Sequence, residues 1–218
     1  MEKTDIATLG YGSSVFNTHF VFNTLNIIQH YIIINDKKAA LLSLNKFSKL
    51  FRQYLLLSQS GATSIDQEIK MIHLYLQLQV LRYTGKLTYQ MICDENIQLS
   101  KEIPVVQLAV IIDDMTESLL KRGENEMHLC VGFREDTDVL LLTLEAGDLN
   151  ERDHADTSTS QRGWQETGMY WREHIKRFNS SNQYQVSYSE EKVYSEIAPY
   201  KSYKWRVMII IPTIALSR

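Results

Sequence analysis

Residues Asn17 to Asn26 read NTHFVFNTLN, and the fold of the first third of the chain turns on that stretch. Positions three or four apart share a face of a helix. His19, Asn23, Asn26 and His30 therefore make one polar stripe, with Val21, Leu25, Ile28 and Ile32 as an apolar stripe beside it. The pattern predicts a helix from about Ser14 to Ile34 that buries the apolar stripe and presents the histidine rather than burying it. A lone imidazole on such a helix is more often a surface or packing residue, because its chemistry depends on what its neighbours supply.

Working outward, Asn35-Asp36 reads as a turn, and Asp36 suits the N-cap of a second helix from about Lys37 to Ser58. Leu41, Leu44, Phe51 and Leu55 mark the apolar face of that helix, with Ser48 as a gap. A connection this short makes the two helices an antiparallel hairpin. After Ser60-Gly61-Ala62-Thr63, the pair Ser64 and Gln67 matches a capping box. It opens a third helix from Ile65 to Tyr83, with Ile69, Ile72, Leu76, Val80 and Tyr83 spaced for burial and Gly85 ending it. A two-helix hairpin cannot cover its own apolar stripes, so a homodimeric four-helix bundle is expected. Met1 to Ser14 lacks periodicity and is expected to be a flexible lead-in.

From Lys86 the texture changes. Leu87–Cys93, Met127–Phe133, Val139–Glu145, Gln183–Ser189 and Trp205–Ile211 read as strands. Two helical patterns lie between them, Pro104–Arg122 and roughly Thr167–Ser180, and Pro104 suits a first helical turn. Helices gathered against a mixed sheet give an α+β class.

Composition narrows the function. Of 218 residues 44% are hydrophobic and 22% charged, and a formal charge of −3 with no long basic run argues against nucleic acid as a partner. The apolar run Phe20–Ile34 is interrupted by Asn23, Asn26, Gln29 and His30, so no membrane span is expected. Cys93 and Cys130 form no CxxC pair, which fits reduced thiols in a cytosolic protein, with neither disulfide nor zinc.

The stretch NTHFVFNTLN resembles the phosphoacceptor segment of LytS/YehU-type sensor histidine kinases, a pattern of roughly N-P-H-F-x-F-N-x-L-N. Asn17, His19, Phe20, Phe22, Asn23, Leu25 and Asn26 fall on it, and Thr18 replaces the proline. Leu50 to Leu55, Gln67-Glu68, Tyr75 to Gln79 and Leu81 to Tyr83 are similar in order and spacing to further core segments of that family. The resemblance implies a dimerisation and phosphoacceptor region over residues 15–85, after a lead-in over 1–14. His19 would be the phosphoacceptor, with Asn23 beside it as a catalytic residue. It also implies that residues 86–218 form a GHKL (Bergerat) ATPase-like domain of the α/β sandwich type, with ATP and Mg²⁺ as cofactors. A response regulator or partner histidine kinase would be the partner in a cytoplasmic phosphorelay. Asp148–Gly163 stands where the family carries its ATP lid, and as a plain polar segment it reads equally well as a disordered loop.

The family's nucleotide motifs are altered here. Counting from Ile103-Pro104 puts Asp113 and Asp114 on the family's Glu-Asn pair and Ser118 on its histidine, which leaves Asp114 as the Mg²⁺ candidate. A register one turn on puts Glu117 and Ser118 on the pair instead. As a bland alternative, Asp113, Asp114 and Glu117 are a solvated acidic face, the favoured reading of these residues. The D-x-G motif that selects adenine becomes Glu145-Ala146-Gly147, after a strand. In the G-x-G-L-x-N-like segment Gly168 is kept, while Tyr170 replaces the second glycine and Glu173 the asparagine. Asp114, Glu145, Gly147 and Gly168 are thus what remains of an ATP site. The favoured reading is a degenerate member, a pseudokinase acting by dimerisation and docking. An active kinase that autophosphorylates His19 from Mg-ATP, and a structural dimerisation protein without phosphate chemistry, fit the same residues.

Overall fold

The computed structural model describes residues 18–57, 60–120, 126–148, 169–195 and 202–214. The first helix, α1 (Thr18–Ile33), turns back through Asn35, whose φ of 59° is the left-handed value that asparagine tolerates. The second, α2 (Lys37–Leu57), starts where Asp36 Oδ1 accepts the Ala39 N–H at 2.9 Å, the expected cap. The expected lead-in lies outside the described residues.

The hairpin buries only part of the stripe the spacing suggested: on α1, Ile28 is buried as expected and Val21 is half-buried. Phe20, Thr24 and Ile28 are the buried residues of α1, and Phe20 sits 5.0 Å from Tyr75 and 6.5 Å from Phe47, ring centre to ring centre. On α2 the buried residues are Ala40, Ser43, Leu50 and Tyr54. Leu25 and Ile32 are exposed, and so are Leu41, Leu44, Phe51 and Leu55, the whole apolar face read from α2. The rest of the inner stripe was missed because it is partly polar or small, Thr24, Ala40 and Ser43, where helices pack closely against a third. Two apolar stripes run along this hairpin, and one chain covers only the less apolar of them.

The third helix, α3 (Ile65–Arg82), is capped as expected, with Ser64 Oγ accepting the Gln67 N–H at 3.2 Å. Its expected face is buried at Ile72 and Leu76 and partly buried at Ile69, Val80 and Tyr83; Ile65, Glu68, Met71, Tyr75, Leu78 and Gln79 are buried as well. Such burial on several sides marks α3 as the helix between the hairpin and the rest of the core. Gly85, at φ +75°, turns the chain away from it. Fully burying each Leu or Ile here stabilises by about 1.5–3 kcal/mol.

Two short strands, β1 (Ala62–Ser64) and β3 (Glu102–Pro104), pair antiparallel with Ala62 opposite Pro104. This corrects the helix expected from Pro104. Proline closes a strand here, where its missing N–H breaks no ladder, and the chain turns through Gln107 at φ +59° before α4 (Leu108–Leu120) begins.

The main sheet has the order β2-β4-β5-β7-β6, built from β2 (Leu87–Cys93), β4 (Met127–Asp136), β5 (Val139–Asp148), β6 (Ser187–Ser195) and β7 (Ser202–Pro212). The β2–β4 pair is parallel and the others antiparallel. A parallel pair needs a long crossover, which the segment carrying α4 supplies. Leu129, Val131, Phe133, Leu140, Leu142, Leu144, Val207, Ile209 and Ile211 face one way into a single core with Ile111, Ile112 and Met115 of α4 and Trp171, Ile175 and Phe178 of the last helix, α5 (Met169–Ser181). The α+β class is thereby confirmed. β6 starts later than the expected Gln183, because the Asn179 side chain bonds both the N–H and the C=O of Val186 at 2.8 Å and holds the intervening segment to the end of α5.

Candidate functional site

Three side chains on one face of α3, Tyr75, Gln79 and Arg82, converge on α4. The Tyr75 hydroxyl donates to Asp113 Oδ1, and Gln79 Nε2 donates to the same oxygen at 2.9 Å and to the Tyr75 hydroxyl. The Arg82 guanidinium lies 3.9 Å from Asp113 and 3.5 Å from Glu117. A buried carboxylate needs partners of this kind, and Asp113 is only 2% exposed. The solvated acidic face is thus overturned: Asp113 and Glu117 bind α3. Burial, then the charge of Asp113, pushes the Tyr75 hydroxyl well above the ordinary tyrosine range.

Two turns back from Tyr75 along α3, Glu68 is also buried, and it accepts the backbone N–H of Leu108 at the start of α4. Burial pushes its carboxyl up to about 7, against that hydrogen bond. Tyr54 of α2 is raised as well, by burial first and then by the charges of Glu68 and Asp113. Sequence reasoning did not assign Glu68 a role. Its signal was a glutamate three residues after Ile65 and four before Ile72, inside the buried face.

On its other side α4 meets α5. Asp114 Oδ2 accepts the backbone N–H of Trp171 at 3.2 Å, in the first turn of α5. Burial raises the Asp114 carboxyl, and the Trp171 hydrogen bond opposes the rise. Trp171 is fully buried, its ring edge-on to Tyr188 at 4.8 Å, and its indole N–H has no hydrogen-bond partner among the described residues. Arg172 makes a two-point pair with Glu190 at 2.7 and 2.6 Å. His174 Nε2 donates to the carbonyl of Val106 at 2.6 Å, and burial lowers its imidazole below the usual range.

The other sequence-derived site residues are spread over the molecule. His19 is helical in α1, next to Phe20, and its side chain lies outside the described residues. Asn23, one turn on, is half-buried. Glu145 and Gly147 are in β5 itself, not in a turn after it: the strand continues to Asp148. Strand side chains alternate between faces, so Glu145 points away from the core that Ala146 joins, and it pairs with Arg206 of β7 at 2.7 Å. Asp114 belongs to the helix layer on the opposite face of the sheet. Gly168 and residues 149–163 lie outside the described residues, as does the side chain of Tyr170. Among the described residues no group of three or more His, Cys, Asp or Glu could hold a metal ion.

Residues 8–87 match the model of the histidine kinase family. The sensor protein LytS of Streptococcus mutans is 28% identical over 131 residues, 60% of this chain and 22% of that protein. Residues 8–87 are a histidine kinase region of the LytS type. The sensor histidine kinase BtsS of Escherichia coli K12 is likewise 28% identical over 134 residues, 59% of this chain and 22% of that protein. The chain that carries this histidine kinase region spans about a fifth of the length of the curated relatives it matches. Among solved structures, the catalytic domain of histidine kinase ThkA covers 69% of this chain and 94% of its own at 6% identity, with a TM-score of 0.43. No described helix is long and apolar enough to cross a membrane. Placed on the histidine kinase region, α1, α2 and α3 are its helices, and Tyr75, Gln79 and Arg82 are its contacts with α4.

Proposed function

We propose that this protein works in two-component signalling as a pseudokinase, a LytS-type dimer that docks a response regulator or partner kinase in the cytoplasm and binds Mg-ATP poorly or not at all. Residues 15–85 would provide dimerisation and the phosphoacceptor-like His19 with Asn23, and residues 86–218 a degenerate GHKL-type domain. The observation that carries the reading is the closure between α4 and α5. Asp114, the sole remaining Mg²⁺ candidate, is engaged by the Trp171 N–H, and the Trp171 ring fills the core beside it.

The residues fit ATP and Mg²⁺ badly. Hard cations need several oxygen ligands, whereas Asp114 already accepts a backbone hydrogen bond and Glu145 is held by Arg206 on the far face of the sheet. Dimerisation is supported by the exposed residues Leu25, Ile32, Leu41, Leu44, Phe51 and Leu55 on adjoining helices, since apolar patches of this extent are usually covered. Calorimetric titration with ATP and Mg²⁺ tests the reading. Absence of heat at millimolar nucleotide is the expected result; saturable binding followed by phosphate on His19 would replace the pseudokinase with an active enzyme.

A further inference from the structure

The geometry points to a coupling element in the segment Val106–Glu117, through which the seating of α3 controls the seating of the first turn of α5. Two helices grip this short segment, and the contacts of α5 bracket those that Glu68, Tyr75 and Gln79 of α3 make with Leu108 and Asp113. Val106 is held through its carbonyl by His174 of α5, and Leu108 through its N–H by Glu68 of α3. Asp113 is held by Tyr75 and Gln79 of α3, and Asp114 by the Trp171 N–H of α5. Neighbouring residues of a helix point about 100° apart, which is how the adjacent carboxylates reach two different helices.

The body between the two grips is stiff. Ile111, Ile112 and Met115 are essentially fully buried, so α4 moves as a unit with its side chains interlocked. The α5 grip falls on an N–H of the first helical turn, a donor without a partner inside its own helix. Its loss leaves the start of α5 without that tether. The α3 grip belongs to the histidine kinase region, so any shift of α3 against α4 presents Asp114 to α5 in a new position. This coupling stands on these contacts and needs no nucleotide between α4 and α5.

Amide hydrogen exchange on the nucleotide-free full chain tests the coupling without reference to ATP. Tyr75→Phe removes one donor to Asp113 at constant ring volume, and Gln79→Met removes the other; either serves if its counterpart does not fold. Both are expected to speed exchange in the first turn of α5 about tenfold while amides inside β5 and β7 stay within twofold of wild type. Asp114→Ala, which removes the acceptor of the Trp171 N–H, is expected to speed exchange in α3 around Tyr75 and Gln79, because coupling between two sites is reciprocal. Unchanged exchange in α5, or acceleration there in step with β5 and β7, would overturn the proposal, the latter because it reports only global loosening. A failed ATP titration would leave this result untouched, so the two readings fall separately.

Discussion

Replacing Glu68 by glutamine is expected to flatten the dependence of folding stability on pH between 5 and 7. The carboxyl is fully buried and titrates at about 7 instead of its ordinary 4.5. Because the folded value lies above the unfolded one, the contribution of this group is complete below about pH 4.5 and is lost as pH rises through about 7. A rise of that size corresponds to on the order of 3 kcal/mol. Glutamine keeps the shape and an oxygen for the Leu108 N–H but has no proton to lose. Its stability relative to wild type should therefore climb across the window and level off, with the full difference in place by pH 8. Urea unfolding at pH 5, 6, 7 and 8, at one protein concentration, gives both profiles. Parallel wild-type and Glu68→Gln curves over that range would refute the assignment, because the buried carboxyl would then be titrating as it does in the unfolded chain.

Leu55→Glu, on the exposed apolar face of α2, should leave the helical content intact and convert a dimer to monomers in sedimentation; a variant that sediments like wild type removes this face from the interface. Trp171→Ala should cost about 3–5 kcal/mol, typical for a fully buried aromatic side chain, read as a fall in the urea midpoint. Arg206→Ala, which removes half-exposed pairs with Glu145 and Glu191, should cost no more than about 1 kcal/mol. A larger loss in thermal unfolding would mean that the outer face of the sheet depends on this cation.

The helix and strand content was legible because periodicity and turn chemistry are local. Asp36, Ser64 and Gly85 sit where capping and turn rules put them, and Leu87–Cys93 is a strand over the expected residues. What was not legible depended on partners distant in sequence. Nothing in the spacing of α2 separates the buried stripe from the one left outside, because the inner stripe mixes Ala40 and Ser43 with Leu50 and Tyr54 and is no more apolar than the outer one. Pro104 reads as a helix start until Ala62 is known to lie opposite it. Asp113 reads as surface charge until Tyr75 and Gln79, more than thirty residues earlier, are brought against it. Glu145 shows the same limit from the other direction. A motif count finds the residue, but only the strand register tells which side of the sheet it occupies.

The pairing of β1 with β3 bears on how the chain can be divided. These two short strands close the segment from Ala62 to Pro104 into a loop that holds both α3 and β2, with the Ile65 N–H bound to the Lys101 carbonyl at 2.9 Å where it closes. A fragment ending near Gly85 would keep α3 but lose the opposing strand and the acceptor at Asp113. The complementary fragment would keep Asp113 without its donors. Cutting the chain near Gly85 is therefore expected to leave α3 without the partners that hold it against α4 on one fragment, and Asp113 without its donors on the other.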